Sequence, residues 1–532
     1  MPVMGKWSFR RFLSNRQQQS FVISLGAFCA SLLLVALVCV LGLIALRGSD
    51  YFWPRPVHNL TYTDAAGSAH KVYAQVGAGQ VASQYSAATQ HLWLIRYSNA
   101  AYPFGNQLIL ETPAIQNLAV AKEAADIVLK DGTRIFAQPI SLDLPGKPAQ
   151  SLAALEQARQ QVNALQFDID QIRTLHLAPI HRRLAELDIR AVADDAPARE
   201  RLSREFSVWQ NRVLELESQL AEFRLHIQFA SGEGFSILLN DLDQLNYTGQ
   251  LSPWGKAGVA ANAIWTFLTD SPKQANTAGG VFPALFGTVL MIFIMTILVT
   301  PFGVMAAIYL TEYAPDNTMT AVIRICVSNM AGVPSIVYGV FGLGFFVYFV
   351  GGQIDELFFG DRLPAPTMGT PGVFWAALTM AILTLPVVIV ATEEGLRRVP
   401  QRLKAGSYAL GATKLETIWH TILPIASPGI MTGVILAIAR AAGEVAPLML
   451  VGAVKFAPNL PFDGEFPYLH LDRQFMHLGV LIYDGAFHSQ TDMRSASMMF
   501  ASCLLLLLVV FVLNILAVIL RKRLRQRYLR GY

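Results

Sequence analysis

The run Gly372-Val-Phe-Trp-Ala-Ala-Leu-Thr-Met-Ala-Ile-Leu-Thr-Leu-Pro-Val-Val-Ile-Val-Ala-Thr392 carries no charge and stops at Glu393-Glu-Gly-Leu-Arg-Arg398. A helix needs about 20 mostly apolar residues to cross the hydrocarbon of a bilayer, so this run predicts a membrane span ending at a polar surface. Similar runs flank it at 281–310, 325–350, 429–452 and 497–520, and another stands far upstream at 21–46. The upstream run is longer than the apolar core of a cleavable signal peptide and predicts a retained anchor helix, with cleavage near Ala45 as the alternative.

Composition points the same way. Of 532 residues, 53% are apolar, 15% are charged, and the mean hydropathy is +0.41, which argues against a soluble enzyme. The net charge of +4 is too small to suggest a nucleic-acid partner. Cys29, Cys39, Cys326 and Cys503 lie in or beside apolar runs without ligand spacing, so neither a disulfide framework nor a metal site is expected, and no cofactor is.

Orientation follows from Lys and Arg near the span ends. Lys6, Arg10, Arg11 and Arg16 precede the first span, and Arg521, Lys522, Arg523, Arg525, Arg527 and Arg530 follow the last, with no acid among either group. Both termini are therefore expected in the cytoplasm, and six spans satisfy the even number this requires. The connection at 393–428 is then cytoplasmic and net basic, while those at 351–371 and 453–496 are external and net acidic. The expected plan is a cytoplasmic N-terminus (1–20), a first span (21–46), a periplasmic insertion (47–280), a core of five spans (281–520) and a basic cytoplasmic tail (521–532).

The insertion is long enough to be a domain. Its middle repeats apolar residues at three-and-four spacing: Leu155, Ala158, Val162, Leu165, Ile169 and Ile172, then Leu202, Phe206, Trp209, Val213, Leu216, Leu220 and Phe223. Two heptad seams separated by Asp194-Asp-Ala-Pro197 predict an antiparallel helical hairpin over about 149–229, with helices at 149–190 and 197–229. Runs at 71–76, 91–97, 107–111, 127–136 and 235–239 read as strands of one sheet, with Asp131-Gly132 closing a hairpin. No nucleophile, metal cluster or phosphate loop stands out in the insertion, and a docking or spacer module is the plainer reading.

The cytoplasmic connection contains Lys404-Ala-Gly-Ser-Tyr-Ala-Leu-Gly-Ala-Thr-Lys-Leu-Glu-Thr-Ile-Trp-His-Thr-Ile-Leu-Pro424. Leu410, Leu415, Ile418, Trp419 and Ile422 recur at helical spacing and predict an apolar face. The segment resembles the coupling loop of binding-protein-dependent ABC importers, whose pattern is Glu-Ala-Ala, three residues, Gly, about ten residues, Leu-Pro. Gly411, Leu423 and Pro424 match that pattern, while Ala405, Gly406 and Ser407 stand at the triplet, so its glutamate is missing. The resemblance implies that these residues and Leu415 form the ATPase-coupling surface; an ordinary interfacial amphipathic helix is the alternative. No Gly-x-x-x-x-Gly-Lys-Ser/Thr occurs in the chain, so ATP hydrolysis is expected in another subunit.

The fifth span holds Ala437-Ile-Ala-Arg-Ala-Ala-Gly-Glu-Val-Ala-Pro-Leu448. An ionisable side chain at the bilayer centre costs about 2.5–3.5 kcal/mol on insertion scales, and Arg440 and Glu444 both stand here, four residues apart on what is read as one helix face. Two readings stay open. The pair can neutralise itself, or Arg440 can present its planar fork to a tetrahedral oxyanion while Glu444 holds it or takes a proton. Gly443 leaves space beside them and Pro447 loosens the helix. In the third span, Gly332, Gly339, Gly342 and Gly344 accompany Pro334 and Ser335, which predicts close packing and a bend. Arg324, just before that span, reads as snorkelling to the interface in preference to lining a substrate exit.

The run from Arg440 to Leu448, with Ala331-Gly-Val-Pro-Ser-Ile-Val-Tyr-Gly339 and Thr392-Glu-Glu-Gly-Leu396, is similar to the A-type permease family of bacterial phosphate (Pst) importers. The likeness covers 281–520 and, more loosely, the first span. It implies a membrane all-α fold of the type I ABC importer permease kind with six transmembrane helices, here joined to an α+β insertion containing the helical hairpin. It also implies an inner-membrane location, a second permease subunit, a homodimeric ATP-binding subunit and a periplasmic phosphate-binding protein. The expected role is a transport subunit, not an enzyme: phosphate moves inward by alternating access, with Arg440, Gly443, Glu444, Pro447 and Ser335 on its pathway. Two alternatives remain: a permease for sulfate, molybdate or phosphonate, and a membrane-anchored sensor or scaffold working through the hairpin.

Overall fold

A computed structural model describes residues 15–64, 67–77, 92–189, 196–273, 278–360, 364–464, 466, 468–488 and 493–530. Lys6, Arg10, Arg11, His91 and the turn residues Asp194 and Asp195 lie outside that set. The chain divides into two compact units, Met1–Phe52 with Phe267–Tyr532, and Trp53–Thr266.

The first unit opens with helix α1 (Asn15–Ser49), whose apolar side chains are exposed along most of its length. The second unit then begins with strands β1 (His58–Thr63), β2 (Ala69–Gly77), β3 (Leu92–Ser98), β4 (Asn106–Glu111) and β5 (Ile115–Val120), which form an antiparallel sheet in the order β4-β3-β2-β1-β5. A second sheet takes β6 (Ala125–Leu129), β7 (Arg134–Leu144), β8 (Lys147–Gln150), β9 (Arg224–Gln228), β10 (Gly234–Leu238) and β11 (Leu242–Asn246). The strand runs expected in one sheet are thus shared between two. Asp131-Gly132 turns β6 into β7: Gly132 has φ +92°, and the Asp131 carboxylate accepts from the Thr133 amide and hydroxyl, each at 2.8 Å.

Between β8 and β9 lie α2 (Leu155–Ile172), a π-helical turn at Arg173–Leu177, α3 (Ala178–Ile189) and α4 (Pro197–Ala221). These helices begin later and end earlier than the heptad spacing predicts, because the residues on either side pair into β8 and β9. The seam also has a second partner. Ala158, Val162, Ile169, Val213, Leu216 and Leu220 are buried in one core with Ile127, Ile135 and Leu225 of the sheet. Farther along the hairpin, the His176 ring stacks on Trp209 with centroids 3.8 Å apart.

The chain passes through α5 (Pro253–Thr269) and the two-residue strands β12 (Pro272–Lys273) and β13 (Ala278–Gly279) into the membrane bundle. There stand α6 (Phe282–Ile308) with a π-helical end at Tyr309–Tyr313, α7 (Thr318–Met330), α8 (Ser335–Phe341), a π-helical stretch Gly342–Gly351, α9 (Gly352–Phe358) and α10 (Val373–Arg397). After them come α11 (Gln401–Ala409), α12 (Lys414–Thr417), a π-helical turn Ile418–Ile422, α13 (Leu423–Gly443) and α14 (Ala446–Val451). Strands β14 (Ala453–Val454) and β15 (Phe475–Met476) pair in parallel, and α15 (Leu478–His488) and α16 (Met493–Arg530) close the chain. Among the described residues, six segments are long and apolar enough to span a membrane: 19–49, 282–313, 335–358, 373–397, 414–443 and 496–519.

Two spans differ from expectation. The third starts at Ser335, not at 325, because Pro334 cannot donate to the Met330 carbonyl and disfavours helix at Val333. The freed Met330 carbonyl accepts the Tyr338 hydroxyl at 2.8 Å. The fifth begins near Lys414 and stops at Gly443, not at 452, since Pro447 cannot return a hydrogen bond to the Gly443 carbonyl.

Helix α10 is the bundle axis, packed against α6 and α13. Lipid tails are as apolar as leucine, so burial alone does not pull helices together in a membrane, and close contact has to. A side chain at Gly395 would meet the Gly429 Cα at 3.0 Å, so these glycines let α10 and α13 touch backbone to backbone. The first amides of α10 lack helical partners and are satisfied from outside: Val373 donates to the Arg473 carbonyl at 3.0 Å and Phe374 to the Leu471 carbonyl at 3.1 Å.

Candidate substrate passage and coupling loop

Helix α13 carries the charged pair to the break after Gly443. Glu444 is extended (φ −83°, ψ 128°), so the pair does not share a face of one helix as the spacing suggests. Arg440 closes the helix while Glu444 folds back from the loop, bringing Arg440 Nε to 3.6 Å from Glu444 Oε1. That separation is an ion pair without a hydrogen bond. Arg440 Nε is buried with no hydrogen-bond acceptor among the described residues, although a third of the side chain remains accessible. A guanidinium held by one carboxylate at this distance keeps donors free for a second anion.

The rest of the predicted pathway gathers unevenly. A Cβ on Gly339 would meet the Pro447 Cα at 2.7 Å, so α8 and α14 are in contact. Ser335 starts α8 and has no hydrogen bond or ion pair with Arg440 or Glu444 among the described residues. Gly443 is exposed, and a side chain there would meet nothing within 4 Å.

His477 was not singled out by its sequence, where it is one histidine in an external connection. It is fully buried; its Nδ1 accepts the Gly479 amide at 3.0 Å, which leaves Nε2 to carry the proton, and Nε2 has no partner among the described residues. Burial pushes its pKa down to about 4. A side chain on Gly479 would strike both this ring and Val445, which places His477 close to the residue after Glu444. Arg324, read as snorkelling to the interface, donates from Nη2 to the Leu310 carbonyl at 2.6 Å, and its Nε lies 3.9 Å from Glu393 Oε1.

The loop at 393–428 forms two short helices separated by Gly411, whose φ of +86° turns the chain after α11. Thr413 and Glu416 form a reciprocal cap at the start of α12. The predicted single apolar face is divided in two. Ile418 and Ile422 are buried with Leu310, Leu396 and Val399, whereas Leu410, Leu415 and Trp419 are exposed at 91%, 67% and 67%. Ala405 and Gly406 are exposed, Ser407 bonds Thr417 at 2.9 Å between hydroxyls, and Leu423 and Pro424 start α13. Leu415 and Trp419 are four positions apart, as are Ile418 and Ile422, so each pair holds its own side of the segment, and Leu410 lies beyond the Gly411 turn. Lys404 and Glu312 form a buried ion pair that no local spacing announces, because they lie 92 positions apart.

Residues 299–526 match the profile of the family described as "Binding-protein-dependent transport system inner membrane component". The phosphate transport system permease protein PstA of Yersinia pestis is 34% identical over 256 residues, covering 48% of this chain and 76% of that protein. The chain belongs to this permease family. PstA 1 of Mycobacterium tuberculosis CDC 1551 is 36% identical over 218 residues, or 41% of this chain, and the permease spans 66% of that relative's length. Among solved structures, an inward-facing MetNI methionine ABC transporter is similar at a TM-score of 0.35 and 17% identity, over 45% of this chain and 94% of that one. The chain is therefore a multi-pass, PstA-like membrane protein with a membrane all-α core. The matched segment contains both the loop at 393–428 and the Arg440–Glu444 pair; the insertion between α1 and α6 lies before it.

Proposed function

We propose that this chain is the permease subunit of an ATP-driven importer of inorganic phosphate, acting by alternating access. The observation that carries the reading is Arg440 at the break of α13, its Nε buried without an acceptor and its carboxylate partner 3.6 Å away. Phosphate takes two parallel hydrogen bonds from a guanidinium fork, and Glu444 beside it can accept the proton of a protonated phosphate. The names of the PstA relatives support phosphate as the anion. Gly443, Pro447 and Ser335 complete the proposed route, with the α13–α14 break giving the backbone a place to move.

The two protomers of a homodimeric ATP-binding subunit would take the exposed Leu410, Leu415 and Trp419 of this loop and the matching loop of a second permease subunit. Ala405, Gly406, Ser407 and Gly411 shape that surface, while Leu423 and Pro424 join it to α13. No ATPase site is proposed in the chain itself. A phosphate-binding protein would deliver substrate on the periplasmic side of the bacterial inner membrane, with both termini in the cytoplasm; the basic tail of α16 supports that orientation. The insertion, including its helical hairpin, would then be periplasmic.

The test is uptake of radiolabelled phosphate in cells carrying Arg440→Gln. Losing a charge-assisted contact to an anion is expected to lower uptake roughly 10- to 100-fold at unchanged membrane level. Undiminished uptake would leave the pair with a structural role and defeat the reading. Competition by sulfate, molybdate and phosphonate in the same assay reads selectivity.

A further inference from the structure

The loop that would receive the ATPase grips the end of α6 at two points. Lys404 of α11 reaches Glu312, which lies in the π-helical turn Tyr309–Tyr313 that finishes α6; the nitrogen and oxygen are 2.5 Å apart and the side chains are 11% and 9% exposed. Lys414 of α12 stands over the Tyr313 ring, 4.4 Å from its centroid. The Ser407–Thr417 hydroxyl contact ties the two short helices together, and Ile418 and Ile422 pack with Ala307 and Leu310 beneath them. Both halves of the loop therefore hold one turn of one span.

A buried ion pair resists separation, because parting the charges strands each in a medium that solvates it poorly. Two elements joined in this way shift together unless something neutralises one partner. At Ala405 the importer pattern has a glutamate and this chain does not, while a carboxylate of the α6 end, Glu312, reaches the loop at Lys404. Motion given to α6 has an onward path, since α6 packs against α10, and α10 packs against α13, which carries Arg440.

We propose that the Lys404–Glu312 pair is the joint through which displacement of the coupling loop is passed to α6, making both side chains positioning residues for transport. This rests on the reading of the loop as an ATPase-docking element. Disrupting the joint should leave the ATPase attached and hydrolysing while less phosphate moves per ATP.

The experiment uses the full complex in liposomes, with the second permease, ATPase and phosphate-binding protein, comparing Lys404→Glu, Glu312→Lys, the double swap and Lys404→Arg. Retained ATPase, phosphate uptake and ATP hydrolysis are measured together. Each single reversal is expected to keep the ATPase and lower phosphate transported per ATP about tenfold. The double swap and Lys404→Arg should return that ratio to within about threefold of the unaltered complex. Where a reversal does not accumulate in the membrane, Glu312→Gln removes the charge at nearly constant shape and is read by the same ratio. An unchanged ratio, uptake and hydrolysis falling in proportion, failed rescue by the double swap, or loss of the ATPase from the single variants would each overturn the joint. Failure of the unaltered chain to hold the ATPase would instead overturn the reading of the loop.

Discussion

Thr288 Oγ1 accepts the amide hydrogen of Leu478 at 2.9 Å, and its own hydroxyl donates to the Ala284 carbonyl at 2.7 Å. One fully buried side chain thus bonds back to its own helix and supplies an acceptor for the first amide of α15, joining positions 190 apart. Thr288→Val keeps the shape and removes the acceptor, leaving a buried amide unpaired at a cost of about 1–3 kcal/mol. The melting temperature of the detergent-solubilised protein should fall with Thr288→Val and be kept by Thr288→Ser. Equal melting of all three would show that the contact contributes nothing.

His477 makes stability depend on pH with a definite sign. Its folded pKa of about 4 lies below the ordinary 6.5, so between those values the unfolded chain binds a proton that the folded chain does not. Stability present above about pH 6.5 is therefore lost as pH falls toward 4, at up to about 1.4 kcal/mol per unit from this one group. Melting curves across that window should have a smaller slope for His477→Gln than for the unaltered protein. The same slope in both would exclude His477 as a source of the dependence.

The crossing of α10 and α13 admits no side chain at Gly429, because a Cβ there would fall on the Gly395 backbone. Gly429→Val should force the helices apart, cost about 1–3 kcal/mol or more, and reduce the folded fraction recovered from membranes. Size-exclusion profiles in detergent read this directly, and an unaltered profile with full uptake would contradict the close crossing.

Trp419 and Leu410 are exposed, whereas Ile418 and Ile422 are buried. Trp419→Ala with Leu410→Ser should therefore leave the permease's own melting within about 0.5 kcal/mol of unaltered while reducing co-purified ATPase severalfold. Full ATPase recovery would remove those two side chains from the proposed docking surface.

The apolar runs located the spans because hydrocarbon imposes its thickness on any helix that crosses it, whatever the helix packs against. Local chemistry likewise announced the Asp131-Gly132 turn, the helical spacing at 155–172 and 202–220, and the loop around Gly411. Breaks were harder to place. Pro334 and Pro447 were visible, but whether a proline bends a membrane helix or ends it depends on which groups take over the freed carbonyls, such as the Tyr338 hydroxyl at Met330. That Ile418 and Ile422 meet Leu310 and Leu396 while Leu415 and Trp419 stay outside has no comparable local mark, because the partners come from distant helices.

Residue chemistry along the chain announced a bilayer protein with six spans, the segment that resembles a coupling loop, and the apolar surroundings of Arg440 and Glu444. Those properties follow from side-chain solvation and short-range spacing. Folding back of the chain set Glu444 against Arg440 across a helix end, buried His477 near Val445, and brought Lys404 to Glu312. Each of these depends on which segments approach after the chain folds back on itself, and sterics and desolvation at such meetings leave no fixed interval along the chain.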